Sequence, residues 1–317
     1  MTDKSKLTLD DLLKLAAHSI SNFQQDYSWE RDEKNLRECN GLDGILNKAE
    51  SSDESLHLSS INRFGYIENF IPLLLIVRYL VRNKLMAVSD YLKLLKAVDC
   101  FIYRTYLVAG FDGDHRRDKL YGAAGFLLDQ FVSFRDDVPG TDYVHEVTRT
   151  IISKIHAYSY SLFKFKTVFL DRPFDWYNLK PFALKLTLFE YERWFREKEG
   201  LDPVTAWESL RLDRILTLSL TTSYWFDRWD RNDLLVWIDD IGNLLLTSNS
   251  DIDSDYPYPR KCRGEDENGN KMFDKCYANS GLMQEREMVK YKDWTVAEVK
   301  KRHDELVDFI LKRWSFD

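Results

Sequence analysis

Cysteine is scarce in this chain of 317 residues. There are four, Cys39, Cys100, Cys262 and Cys276, and no pair has C-x-x-C spacing. That argues against a zinc-ribbon framework, and free thiols in a reducing compartment are the simplest account. Long apolar runs are missing too. The longest uncharged one, residues 70–77, contains Pro72 and is followed by Arg78, far short of the roughly 20 residues a membrane-spanning helix needs. Residues 1–9 are polar and mixed in charge, without the apolar stretch of a secretory signal. A soluble cytoplasmic protein with no membrane partner is expected. Positive charge is in deficit as well: 45 Lys and Arg stand against 52 Asp and Glu, a net charge of −7. Such a balance argues against non-specific coating of a polyanion, which needs a basic face, and leaves room only for a local or metal-assisted nucleic-acid site.

The first half also lacks a glycine-rich phosphate loop, a Ser-His-Asp arrangement and metal-spaced histidines. Asp112-Gly113-Asp114-His115 begins like a metal loop but has neither the later ligands nor the terminal Glu of an EF-hand, so a solvated turn is expected. His18, His57, His145, His156 and His303 stand isolated, as packing or surface histidines do.

Apolar material is plentiful. A hydrophobic share of 44% and an aromatic share of 14% suffice for one large or two ordinary packed domains. Leu9, Leu12, Leu13, Ala16, Ile20 and Phe23 recur at helical spacing after a Thr8 start. Residues 26–60 read as a connector with one short helix at 42–48. Residues 70–82 are apolar nearly all round, the pattern of a central buried helix with Pro72 in its first turn. Ser89 is placed to cap the next helix. Further helices are expected over 121–134, 143–165 and 179–198, with a turn at Pro139-Gly140. The expected fold is mainly α: a helical domain over residues 1–200, then a smaller α+β domain over 201–317.

The second half changes character. Residues 210–223 are short-patterned and β-branched, and Trp225, Trp229 and Trp237 cluster behind them. The segment Ile241-Gly242-Asn243-Leu244-Leu245-Leu246-Thr247-Ser248-Asn249 carries an asparagine at each end of an apolar run. Two carboxamides there can aim at a metal or phosphate, or simply close turns. A polar insert at about 250–271 follows, and Thr295 with Glu298 has capping-box spacing at the start of a terminal helix. Residues 201–256 hold eleven acids against four arginines, a charge that repels DNA unless a cation or partner intervenes. Arg260-Lys261-Cys262-Arg263 reads as a solvated loop cluster or as a set of phosphate contacts.

Gly242-Asn243-Leu244-x-Leu246, Asn249, Phe273-x-Lys275-x-Tyr277, Trp294-Thr295, Arg302 and Trp314 occur in an order that resembles the C-terminal HNH-like nuclease domain of the GmrSD family of modification-dependent restriction endonucleases. The helical half, with Phe101-Ile102-Tyr103-Arg104 and Leu188-Phe189-Glu190-Tyr191, is similar to the region preceding that domain. The resemblance implies a ββα-metal site that cleaves DNA in restriction and phage defence, with Mg²⁺ or Mn²⁺ as cofactor. It implies a metal held by Asp213 and Asn249, Asn243 shaping the site and Lys275 steadying phosphate. It also implies a sensor or NTPase partner. The NTPase or ParB-like domain of long members is missing ahead of the helical region, which leaves a split subunit, a truncated relative or a repurposed scaffold.

One position departs from the pattern. The segment aligned with acid-His-Ile-x-Pro reads Leu212-Asp213-Arg214-Ile215-Leu216-Thr217. Arg214 occupies the histidine position, and a guanidinium has no lone pair with which to accept a proton. Two readings stay open: an HNH-like, metal-dependent endonuclease component, degenerate and partner-dependent, or an inactive interaction or regulatory subunit that retains the nuclease fold.

Overall fold

The structure, a computed structural model, describes residues 52–316 apart from 83, 133–139, 171–174, 205–206, 219, 249–251, 253–254 and 267. The expected helices at 8–23 and 42–48, Cys39, Pro139 and Asn249 therefore lie outside the described residues. The architecture is mainly helical with one small two-stranded sheet, as the periodicity predicts. The chain divides into two compact units, one running to Leu162 and including Trp314 onward, the other spanning Phe163–Arg313. Among the described residues no helix is long and apolar enough to cross a membrane.

The first unit contains α1 (Ser52–Phe64), α2 (Ile71–Arg82), α3 (Val88–Phe101), α4 (Arg117–Val132) and α5 (Thr141–Tyr158). Residues 71–78 of α2 are all buried, which accounts for its lack of a polar face. Ser89 does not cap α3. The cap position is Ala87, with no side-chain bond, and burial of Asp90 and Tyr91 in the first turn sets the start instead. α3 runs on into a buried π-helix, Ile102–Val108. There Arg104 Nε donates to the Trp314 carbonyl at 2.7 Å, and the Tyr103 ring stacks on Trp314 at 3.4 Å. The single helix expected over 143–165 is broken, because Ser159 is extended and its N–H caps the carbonyls of Ile155 and His156. The chain then restarts as α6 (Leu162–Leu170).

The second unit continues with α7 (Trp176–Leu179), α8 (Pro181–Lys198), β1 (Arg211–Arg214), α9 (Ser223–Phe226) and α10 (Arg231–Trp237). A 3₁₀ turn (Ile241–Asn243), β2 (Leu244–Thr247), α11 (Tyr258–Arg263), α12 (Met283–Arg286) and α13 (Val296–Arg313) complete it. Trp225, Trp229, Leu245, Tyr258, Tyr277 and Trp294 share its core. The capping box forms as its spacing predicts. Thr295 N–H donates to Glu298 Oε2 at 2.8 Å, and Ala297 N–H donates to Thr295 Oγ1 at 3.2 Å. The segment expected as a polar insert contains α11, which sends Tyr258 and Cys262 into the core. Cys100, Cys262 and Cys276 are buried free thiols.

The asparagine-bounded stretch is central. Gly242 packs so closely on α13 that a Cβ there would stand 2.2 Å from the Val299 carbonyl oxygen and 2.9 Å from the His303 nitrogen. Both neighbours are backbone and cannot swing aside. Gly242→Ala is therefore expected to lower unfolding free energy by about 3 kcal/mol, at the upper end of overpacking costs, measured by urea denaturation. A change below about 0.5 kcal/mol, the range of neutral surface substitutions, would show that α13 tolerates a shift.

Candidate functional site

β1 and β2 pair antiparallel, with Arg211 opposite Thr247, Leu212 opposite Leu246, Asp213 opposite Leu245 and Arg214 opposite Leu244. Successive side chains in a strand point to opposite faces, and cross-strand partners share one. Asp213, Leu245, Arg211 and Thr247 therefore lie on one face of the ribbon, and Leu212 and Arg214 on the other. The pleat separates the retained acid from the residue standing where the histidine is expected.

On its own face Arg214 meets an acid and a ring. Its Nε and Nη2 donate to Asp239 Oδ1 at 2.8 and 2.6 Å, and its guanidinium lies 3.6 Å from the centre of the Tyr177 ring. Asp239 also accepts the Trp176 N–H through its carbonyl. Arg214 thus fastens β1 to α7 and the loop before the 3₁₀ turn.

Asn243 is wholly buried, and its carboxamide is committed to the fold. Oδ1 accepts the Leu216 N–H at 2.8 Å and the Trp294 indole N–H at 3.0 Å, while Nδ2 donates to the Ile238 carbonyl at 2.8 Å. Two residues of α13 hold the same stretch. Arg302 Nη1 donates to the carbonyls of Gly242 at 2.8 Å and Leu244 at 2.6 Å. His303 places Nδ1 2.9 Å from Asp240 Oδ2 and Nε2 3.0 Å from the Phe169 carbonyl oxygen. Asp240 in turn accepts the Gly242 N–H at 2.7 Å. His303, read from the sequence as an isolated histidine, is a packing residue.

The Asp213 face is built differently. Asp213 is half-buried, and its Oδ1 accepts the Arg214 N–H at 2.9 Å. Glu285 is fully buried, with Oε2 accepting from Ser280 Oγ and a further bond to the side chain of Thr247, which shares the Asp213 face. Its other oxygen, Oε1, has no hydrogen-bond partner, nor has the buried hydroxyl of Tyr277. Burial pushes the Glu285 carboxyl up to about 7. The Ser280 and Thr247 hydroxyls oppose that shift, and the charges of Asp213 and Glu192 add to it. The Tyr277 phenol is raised well above its ordinary range by burial, then by Asp213 and Glu285. Nothing in Met283-Gln284-Glu285-Arg286 distinguishes Glu285 from an exposed helical acid, so sequence reasoning missed it.

Lys275 is exposed, just ahead of buried Cys276 and Tyr277. The basic cluster at 260–263 is neither a solvated loop nor free for phosphate. Lys261 is buried and donates to the Ile215 carbonyl at 2.9 Å. Arg260 lies between the Tyr256 and Phe273 rings at 3.5 and 4.0 Å, and Arg263 Nε donates to Glu265 at 2.9 Å.

Among the described residues no three His, Cys, Asp or Glu side chains converge as metal ligands. Asp213 suits a hard divalent cation that keeps most of its waters. Asn243, with both ends of its carboxamide bonded inside the core, does not.

The family profile described as GmrSD restriction endonucleases, C-terminal domain, matches residues 149–309. No curated protein matches the chain.

Because the folded state holds the Glu285 proton more tightly than the unfolded chain does, this group's contribution to stability is full below pH about 4.5 and is lost as pH rises through about 7. Glu285→Gln keeps a neutral side chain at every pH. In chelator-containing buffer near pH 8 it is expected to exceed the native chain in stability by up to about 3 kcal/mol, with the difference vanishing near pH 4. Urea unfolding across that range checks it, and a pH-independent difference would contradict it.

Proposed function

This chain belongs to the family of GmrSD restriction endonuclease C-terminal domains, and from that premise we propose that it is a DNA-interacting component of a restriction system, active in phage defence, whose HNH-like centre does not cleave by itself. One observation carries the reading, the state of the imidazole. Phosphodiester hydrolysis needs a group of near-neutral pKa to take the proton of the attacking water. Residues 163–313 contain a single histidine, His303. It is 2% exposed, and both its nitrogens face acceptors, so neither is open to water. Arg214 has no lone pair for the task and is tied to Asp239.

What remains is the acid. Asp213 would help hold Mg²⁺ or Mn²⁺, and a cation bound there would neutralise charge building on a phosphate. Asn249 and Lys275 are assigned, on the resemblance, to the cation and the phosphate. With eleven acids against four arginines over residues 201–256, contact with DNA requires that cation or a partner. A sensor or NTPase partner is the proposed source of both recognition and the missing base.

An active endonuclease is the second reading. It is favoured by Glu285, a carboxyl held at about 7 within the influence of Asp213, and it is opposed by the full burial of that group.

In a plasmid assay with Mg²⁺ or Mn²⁺ the native chain alone is expected to leave supercoiled DNA intact. Cleavage by the native chain that disappears in Asp213→Ala would overturn this reading, and its loss in folded Glu285→Gln as well would support the second.

A further inference from the structure

A cavity of about 530 Å³ opens between α8, α13 and the turn at Glu287–Lys290, all within the second unit. That is the size of a small-molecule site. Its wall is aromatic: Tyr191, Trp194 and Phe195 come from α8 and Phe309 from α13. Between ring centres, the Trp194 indole lies 5.7 Å from Tyr191, 5.0 Å from Phe195 and 5.7 Å from Phe309. Three ring neighbours hold it in place, yet it is 40% exposed. An indole held in this way offers apolar surface that loses little conformational freedom when a flat ligand covers it.

The charges around this wall divide into two sets. Lys290 Nζ lies 2.7 Å from both Glu287 Oε1 and Glu305 Oε2, and Arg313 pairs with Glu190 at 3.0 Å. These groups answer one another inside the protein. Lys198 and Lys312 are exposed on the rim, and neither pairs with an acid among the described residues. Asp308 is the one lining acid outside an ion pair. Lys198 Nζ also stands 5.4 Å from the centre of the Trp194 ring. An aromatic wall can take a cationic ligand, but here the chain's own ammonium already holds that position on the indole. Two unpaired lysines against one carboxylate favour an anion.

We propose that this cavity binds a nucleoside phosphate, with the base stacked on Trp194 and the phosphate met by Lys198 and Lys312. Every base has a π-face, so stacking on an aromatic side chain needs no particular sequence. An ammonium on a flexible stem serves a phosphate as a point charge. The source is a free nucleotide or one unit of a single DNA strand, which share this chemistry. None of the lining residues belongs to β1 or β2. The site needs no metal at Asp213, and it stands whether or not the chain cleaves.

The test uses the full chain in chelator-containing buffer without added metal. Equilibrium dialysis follows labelled AMP, with adenosine and inorganic phosphate as controls. Fluorescence anisotropy follows a short labelled single-stranded oligodeoxyadenylate. AMP is expected to bind more tightly than adenosine or phosphate alone. Trp194→Ala should weaken binding at least about tenfold, within the usual worth of base stacking, and Trp194→Phe should restore most of it. Lys198→Ala and Lys312→Ala should each weaken binding, and each should reduce the slope of log affinity on log salt for the oligonucleotide by about one. Circular dichroism and urea unfolding establish that each variant is folded. AMP binding alone identifies a free nucleotide as the source, whereas oligonucleotide binding that AMP competes away identifies a strand. Binding of neither probe by the native chain at millimolar concentration would overturn the proposal. So would adenosine binding as tightly as AMP, or native-like binding by folded Trp194→Ala. No metal or cleavage enters the measurement, so these results and the plasmid outcome fail independently.

Discussion

The close seating of the Ile241–Asn243 turn on α13 is the constraint on which the second unit depends. Without a side chain at Gly242 the turn comes within van der Waals contact of the helix backbone. Only at that range can Arg302 reach the Gly242 and Leu244 carbonyls and His303 reach Asp240. The turn's polar backbone is then satisfied inside an apolar core, as burial requires. Asn243 extends the same solution to the other side, answering the Leu216 N–H, the Trp294 indole and the Ile238 carbonyl with one carboxamide. β2 is held in place by these bonds, and β1 by its pairing with β2.

This arrangement decides what each residue of the Asp213-Arg214 pair can do. Adjacent residues in a strand diverge, so one carboxylate shares its face with Leu245 and Thr247 while the guanidinium meets Asp239 and Tyr177. Arg214 stabilises by a half-buried ion pair in which Nε and Nη2 share Asp239 Oδ1, and by stacking, and both uses depend on the planar shape and permanent charge of the guanidinium. The Asp213 face carries Arg211, Leu245 and Thr247 beside the carboxylate.

Charge distribution follows the same division. Lys261 and Arg302 are withdrawn into the core, where they cap carbonyls, and half-buried Arg260 stacks between two rings. The side chains that would otherwise attract a phosphate backbone therefore hold the fold, and the acids of residues 201–256 are left without that balance.

Much was legible in the sequence alone, wherever the physics is local. Apolar periodicity marked α2, α4 and α8. Thr295 with Glu298 marked the start of α13, and the order of Asn243, Tyr277, Trp294 and Arg302 marked the family. The missing proton acceptor at Arg214 was equally readable, since no fold gives a guanidinium a lone pair to offer. Boundaries depending on packing were not legible: α3 begins at Val88 without Ser89 as its cap, and the helix expected over 143–165 breaks at Ser159. Nor were roles created by contacts distant in sequence. Whether Asn243 points to a ligand or into the core, whether Lys261 meets solvent or the Ile215 carbonyl, and whether Glu285 is an exposed helical acid or a buried one bonded to Thr247 are all decided by neighbours tens of residues away. Composition and spacing determine which chemistry a side chain can perform. Tertiary structure alone determines which atoms it meets, because burial and hydrogen-bond competition are settled only when the whole core closes.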